Sequence, residues 1–140
     1  MSKIVAYTDG SYNKKTKKAS YGVIILDENM NVIHTFGGLI EDIYLNNMRN
    51  VGGEIIAAQE AMKYTLDNGY ESVKIYHDYT GVSMWPLCKW KTNNDCTKAY
   101  MNFYKEISKK IIISFKNVKG HSGDIYNDMA DKVAKKYAGV

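Results

Sequence analysis

The spacing of apolar residues along the chain alternates between a strand-like and a helix-like period. In the first forty residues they gather in three short runs, Ile4 to Thr8, Tyr21 to Leu26 and Val32 to Leu39, with Asp27-Glu28-Asn29 as the second intervening turn. Runs of this length bounded by turn residues predict three strands of an antiparallel meander. From about Gly53 the spacing lengthens, and Ile55, Ala58, Met62 and Leu66 fall on one stripe of a helix that stops near Asn68-Gly69. Val73 to Tyr76 predicts a short buried strand with Asp78 just beyond its C-terminal end. A short helical stretch around Val82 to Leu87 follows, ending near Pro86. The pattern then predicts a helix from Thr97 to Lys109, a fifth strand from Lys110 to Val118, and a closing helix from about Ile125 to Ala138.

The order βββαβααβα predicts an α/β domain with a mixed five-stranded sheet flanked by helices. A strand joined through a helix to another strand in the same sheet requires a parallel, right-handed crossover. Sites in such sheets form outside the carboxyl ends of strands. Asp78 meets that rule directly, whereas Asp9 meets it only if the first and fourth strands are parallel neighbours.

Composition narrows the picture further. At 140 residues the chain reads as one domain, 1–140, long enough for a single core, and no Pro/Ser-rich tract or repeat divides it. No apolar run approaches membrane-spanning length, and the first strand starts too early for a leader, so we expect a cytoplasmic protein without a membrane partner, and a monomer. Cys88 and Cys96 are too few and too far apart for a zinc cluster, and we expect free thiols. The net charge of +4 is carried almost wholly by lysine, Arg49 being the only arginine. That excess by itself points only weakly to a polyanion, but Lys14, Lys15, Lys17 and Lys18 crowd a turn near Asp9, and Lys89 and Lys91 flank Trp90.

Candidate chemistry lies in four carboxylates. Asp9 stands in Tyr7-Thr8-Asp9-Gly10-Ser11, Glu54 in Gly53-Glu54-Ile55-Ile56-Ala57-Ala58, Asp78 in Ile75-Tyr76-His77-Asp78, and Asp131 in Asn127-Asp128-Met129-Ala130-Asp131. Each has an ordinary alternative. Asp9-Gly10 is also a common turn pair, Glu54 also suits the first turn of a helix, and Asp131 could belong to a solvated helix face. Taken together, carboxylates at strand ends and helix starts repel one another and stay ionised only if divalent cations neutralise them. Two such cations, about 4 Å apart, can stabilise both the attacking and the leaving oxygen of a phosphodiester. His121, in Gly120-His121-Ser122-Gly123, adds a group titrating near neutrality in a glycine-flanked loop, suited to moving a proton or helping an ion leave. His34 and His77 read as structural or exposed.

This set resembles type 1 ribonuclease H of the bacterial kind, from about Ile4 to the last helix. The resemblance implies the ribonuclease H-like fold, with the first and fourth strands parallel neighbours. It also implies a catalytic set of Asp9, Glu54, Asp78, His121 and Asp131, whose four carboxylates hold two Mg2+ ions, with Mn2+ as a substitute, Asp9 bridging them. The Glu-apolar-apolar-Ala-Ala pattern at Glu54 and the Asn-x-x-Ala-Asp spacing from Asn127 to Asp131 carry it; Asp128 is the substitute for Asp131, expected to face solvent. Implied substrate contacts are Ser11, Asn13, Arg49, Asn50, Trp90, Lys91 and Asn127. Val51-Gly52-Gly53 replaces the Asn-Arg pair common in the family, and the segment from Asp78 to His121 leaves room only for a reduced basic handle around Trp90-Lys91-Thr92. Trp90 is open between a core anchor and a face for the DNA strand. No separate N-terminal hybrid-binding domain is expected.

The function implied is an endonuclease that hydrolyses the RNA strand of an RNA–DNA hybrid, recognised through 2′-hydroxyls in its wide minor groove, leaving 5′-phosphate and 3′-hydroxyl ends. A DNA-directed nuclease of the same fold and a nucleic-acid-binding module without catalysis are the alternatives.

Overall fold

The computed structural model describes residues 2–119 and 124–140. Its elements are β1 (Lys3–Asn13), β2 (Lys18–Leu26), β3 (Val32–Leu39), α1 (Ile43–Asn47), α2 (Asn50–Asp67), β4 (Ser72–His77), α3 (Gly81–Met84), α4 (Asp95–Ile107), β5 (Ile112–Asn117) and α5 (Ile125–Ala138). The five strands form one sheet in the order β3-β2-β1-β4-β5. β1 pairs antiparallel with β2, and β2 with β3, while β4 runs parallel to both β1 and β5. The mixed sheet is as the element order predicts, and the parallel β1–β4 neighbours are as the resemblance implies.

Helices cover the sheet on both sides. On one face Ile4, Ala6, Val23 and Ile75 meet Ala58 and Met62 of α2. On the other, Tyr7, Ile24 and Leu26 pack against Ala130 of α5. β2 lies beneath both helices, so Val23, Ile24, Ile25 and Leu26 are all fully buried and the run shows no polar alternation. Each such aliphatic side chain contributes about 1.5–3 kcal/mol of transfer free energy. Among the described residues no helix is long and apolar enough to cross a membrane.

β2 starts at Lys18, ahead of the expected Tyr21, and α3 ends at Met84, short of Leu87, and three further elements depart from the sequence expectation in ways that bear on the site. β1 continues through Asp9-Gly10 to Asn13, because Asp9 pairs with Gly22 and the ladder with β2 extends to Asn13 opposite Lys18. α1 has no counterpart in the apolar pattern: it buries no residue, and Ile43 and Tyr44 are 65% and 72% exposed, so it lacks an apolar stripe. Its start is set by the Asp42 carboxylate, which accepts from the amides of Tyr44 and Leu45 at 2.9 and 3.1 Å. α2 begins at Asn50, ahead of the Gly52-Gly53 pair that the spacing suggests as its boundary. Those glycines are inside the helix because of contact, not propensity. A Cβ on Gly53 would lie 2.1 Å from the Ser20 carbonyl oxygen and 2.8 Å from Gly10 Cα, and one on Gly52 would lie 1.9 Å from the Leu45 carbonyl oxygen. Gly52 and Gly53 therefore let α2 press its first turn onto α1 and onto the sheet.

Candidate metal centre

Asp9 sits two residues beyond Tyr7, the last residue of β1 that pairs with β4, and Asp78 follows directly after β4. The parallel pairing thus brings two carboxylates to the same end of adjacent strands. The close approach of α2 supplies the third. Glu54 Oε1 accepts from the Gly10 amide at 3.0 Å, and the same amide donates to Asp9 Oδ1 at 2.9 Å. Carboxylate oxygens of Asp9, Glu54 and Asp78 all lie within 4.8 Å of one another.

The electrostatics follow from burial. Asp9 is 5% exposed and Glu54 3%. Burial, aided by the charge of Asp78, outweighs the lowering effect of hydrogen bonds with Glu54 and the Gly10 amide and raises the Asp9 carboxyl from 3.8 to about 7. Glu54 is pushed well above the usual carboxylate range by burial first and by Asp9 second. Glu54 Oε2 is buried without a hydrogen-bond partner among the described residues. An orphaned carboxylate oxygen facing two further acids is costly in an apolar setting unless a cation or a proton joins them. Three hard oxygen donors in so small a space suit a divalent cation of the magnesium or manganese kind, not a soft thiophilic one.

The residue just before Asp78 is anchored at the end of β4. The fully buried His77 donates from Nδ1 to the Tyr79 carbonyl at 2.9 Å, and the Val118 amide donates to the His77 carbonyl at 2.7 Å. Burial lowers the His77 pKa and keeps the ring neutral. This brace around Asp78 has no signal in the sequence beyond adjacency.

The fourth acid stands apart. Asp131 is half-buried on α5, reaches the Asp9 carboxyl, and pairs with the Lys135 ammonium at 3.0 Å. The i,i+4 spacing of Asp131 and Lys135 is the one sequence signal for that pair. Asp128, expected in solvent, is half-buried. Asn127, one turn before Asp131, is 2% exposed, and its Oδ1 has no partner among the described residues. His121 lies outside the described residues.

The other sequence candidates occupy varied surroundings. Ser11 is 9% exposed on β1. Asn50 opens α2 in solvent, and its carbonyl closely abuts Gly10. Arg49 adopts φ 60° just before α2, and its guanidinium lies 5.5 Å from the Tyr12 ring centre. Asn13 is engaged structurally: its Nδ2 donates to the Ala138 carbonyl at 2.9 Å, and its Oδ1 accepts from the Lys15 amide at 2.9 Å. Trp90 is 40% exposed, so it is no buried anchor; it stands edge-on to Trp85 at 5.6 Å and to Tyr79 at 6.2 Å, with Lys89 and Lys91 exposed beside it. Lys14, Lys15, Lys17 and Lys18 are exposed on the β1–β2 hairpin. Cys88 and Cys96 are free thiols.

Comparison with known proteins agrees with this architecture. The family model described as RNase H matches residues 1–139. A protein named Ribonuclease H from Rickettsia bellii (strain RML369-C) is 33% identical over 96% of this chain and 88% of its own length. Another of that name from Wolbachia pipientis wMel is 30% identical over 95% of this chain and 93% of its own. Among solved structures, RNase H1 of the halophilic archaeon Halobacterium salinarum NRC-1 superposes with a TM-score of 0.81 at 18% identity, covering 98% of both chains. LC11-RNase H1, solved in complex with an RNA/DNA hybrid, superposes with a TM-score of 0.79 at 19% identity, covering 97% of this chain and 96% of its own.

Proposed function

Since the chain belongs to the ribonuclease H family, we propose that it is an endonuclease that hydrolyses the RNA strand of RNA–DNA hybrids with two magnesium ions, leaving 5′-phosphate and 3′-hydroxyl ends. The observation that carries the reading is the buried group of Asp9, Glu54 and Asp78, whose oxygens lie within 4.8 Å of one another, in a chain matched by the family from end to end. These three, joined by Asp131, would hold the ions, with manganese as a substitute. When bound, the ions would supply the charge that lowers the pKa of the attacking water and stabilises the departing 3′-oxygen.

The protein's own part is to concentrate and orient. Asp9 and Glu54 share the Gly10 amide, so one backbone donor fixes both carboxylates before any ligand arrives. His121 is the candidate for moving a proton at the scissile phosphate or easing an ion out afterwards. Ser11 and Asn50, beside Gly10 and the start of α2, are candidates for 2′-hydroxyls in the minor groove, with Arg49 toward a phosphate. Asn127 would reach the substrate from α5. Trp90 and Lys91 would meet the DNA strand, an exposed aromatic face with a cation beside it. Asn13 is the weakest member, because its amide is already committed to the end of α5. Residues 1–140 would form a single ribonuclease H domain, working as a cytoplasmic monomer.

The test is cleavage of an end-labelled RNA–DNA hybrid beside matched RNA and DNA duplexes, with and without magnesium. The expected result is magnesium-dependent cutting of RNA in the hybrid alone, with product ends that ligate directly to 3′-hydroxyl-requiring adaptors. Comparable cutting of the all-DNA duplex would leave the fold and overturn the activity.

A further inference from the structure

His77 is fully buried beside the acidic centre and takes no part in the chemistry above. Its ring stands edge-on to Phe115 at 5.9 Å. Nε2 has no hydrogen-bond partner among the described residues. A buried nitrogen left without a partner costs stability, so packing alone gives no reason for an imidazole where an aliphatic side chain would fill the space. Nδ1 differs, because it donates to the Tyr79 carbonyl at 2.9 Å. That bond runs from the residue before Asp78 to the residue after it. Both ends of the span are tied elsewhere too: the Val118 amide donates to the His77 carbonyl at 2.7 Å, and the Val82 amide to the Tyr79 carbonyl at 3.1 Å. The Tyr79 carbonyl would therefore keep a donor without His77.

We propose that His77 is a positioning residue whose Nδ1–H bond to the Tyr79 carbonyl sets the backbone at Asp78, and with it the place of the Asp78 carboxylate in the metal centre. β4 ends at His77 and α3 begins at Gly81, so Asp78 stands where the hydrogen bonds of the ladder stop. Its oxygen nevertheless has to stay within 4.8 Å of those of Asp9 and Glu54. A shift of about 1 Å is enough to spoil a geometry of this kind. The bridge acts through the backbone, independently of what the Asp78 side chain itself contacts. The inference deepens the metal-dependent reading above and rests on it.

The experiment compares wild type, His77→Leu and His77→Asn as full-length chains. Leu fills the site without a donor, whereas Asn is smaller but carries an amide N–H at the place of Nδ1. Folding and positioning then predict opposite orders. By urea midpoint Leu should equal or exceed wild type, since it removes the orphaned nitrogen and leaves Tyr79 its Val82 donor. Asn should fall below both, since it leaves a cavity and a second buried polar atom. In metal binding and turnover the order reverses. Calorimetric titration of chelator-treated protein with Mn2+ should show binding about tenfold weaker in Leu and within about threefold of wild type in Asn. At a fixed magnesium concentration kcat on the hybrid should fall about 10–100-fold in Leu, with KM within about twofold, and stay within about threefold in Asn. A Leu variant with wild-type Mn2+ affinity and kcat, or losses in both variants that follow the urea midpoints, would overturn the proposal, and so would a wild type that binds no Mn2+. A wild type that binds Mn2+ but cuts no hybrid counts against the functional reading alone, and the Mn2+ titration then decides the role of His77.

Discussion

Replacing Asp9 with Asn should separate what the acidic centre does for catalysis from what it does to stability. In the folded protein burial raises the Asp9 carboxyl from 3.8 to about 7, with the charge of Asp78 adding to it and a hydrogen bond with Glu54 working against it. A carboxyl whose pKa is raised by folding binds its proton more tightly in the native state than in the unfolded one. Between about pH 4 and 7 the native protein therefore holds more protons, and stability must fall as pH rises through that window. The gap of about three pH units, at about 1.36 kcal/mol each, sets an upper bound of about 4 kcal/mol lost by pH 8. Asn keeps the shape and the hydrogen-bond acceptor without the charge, and also relieves Glu54, which Asp9 pushes upward. Asp9→Asn should therefore be more stable than wild type by about 2–4 kcal/mol at pH 8 in chelator and no more stable near pH 4, as read from urea denaturation at both pH values. Adding magnesium should restore wild-type stability at pH 8 and do little for the variant, because the ion stabilises only the fold that binds it. Hybrid cleavage by the variant should fall by several orders of magnitude. Parallel stability-versus-pH curves for the two proteins would refute the burial argument, and near wild-type cleavage would remove Asp9 from the centre.

Other substitutions test the remaining parts of the reading. Neutralising Lys14, Lys15, Lys17 and Lys18 together should weaken hybrid binding and flatten its dependence on salt by about 0.9 for each phosphate that is no longer neutralised, with turnover at saturation little changed; an unchanged slope in a salt titration would make this hairpin a solvated surface. A DNA strand carrying a single ribonucleotide should resist cleavage opposite DNA, and a run of about four should permit it, because each missing 2′-hydroxyl hydrogen bond costs about 1 kcal/mol or more. Gly53→Ala should destabilise the fold by about 3 kcal/mol or more, since its Cβ would lie 2.1 Å from the Ser20 carbonyl oxygen; a urea midpoint within error of wild type would contradict the packing of α2 on the sheet.

Local pattern carries much of this protein. The strands around Ile4, Val23 and Ile75 can be placed as short apolar runs bounded by turn residues, and the last helix by its apolar stripe at a period of about 3.6, because burial selects apolar side chains whatever the remainder of the chain does. The motifs around Asp9, Glu54 and Asp78 are legible only as a set, because each carboxylate taken alone has an ordinary reading as a turn or helix-start residue. What no window of the sequence contains is distance. Asp9 and Asp78 meet because β1 and β4 are parallel neighbours, and Glu54 joins them because Gly53 lets a helix rest against Gly10. α1 is invisible in the apolar pattern because its order comes from the Asp42 cap and from its packing on Gly52, with no buried stripe to mark it. Asp131 looks like one of four equal ligands in the sequence, yet its immediate partner is Lys135, and the bracing of Asp78 falls to a histidine that reads as merely structural. Spacing along the chain records which face a side chain occupies. Which carboxylates share a cation, and which are held by an ammonium first, depends on separations of a few ångströms between segments far apart in sequence, and these exist only once the sheet has closed and the helices have docked.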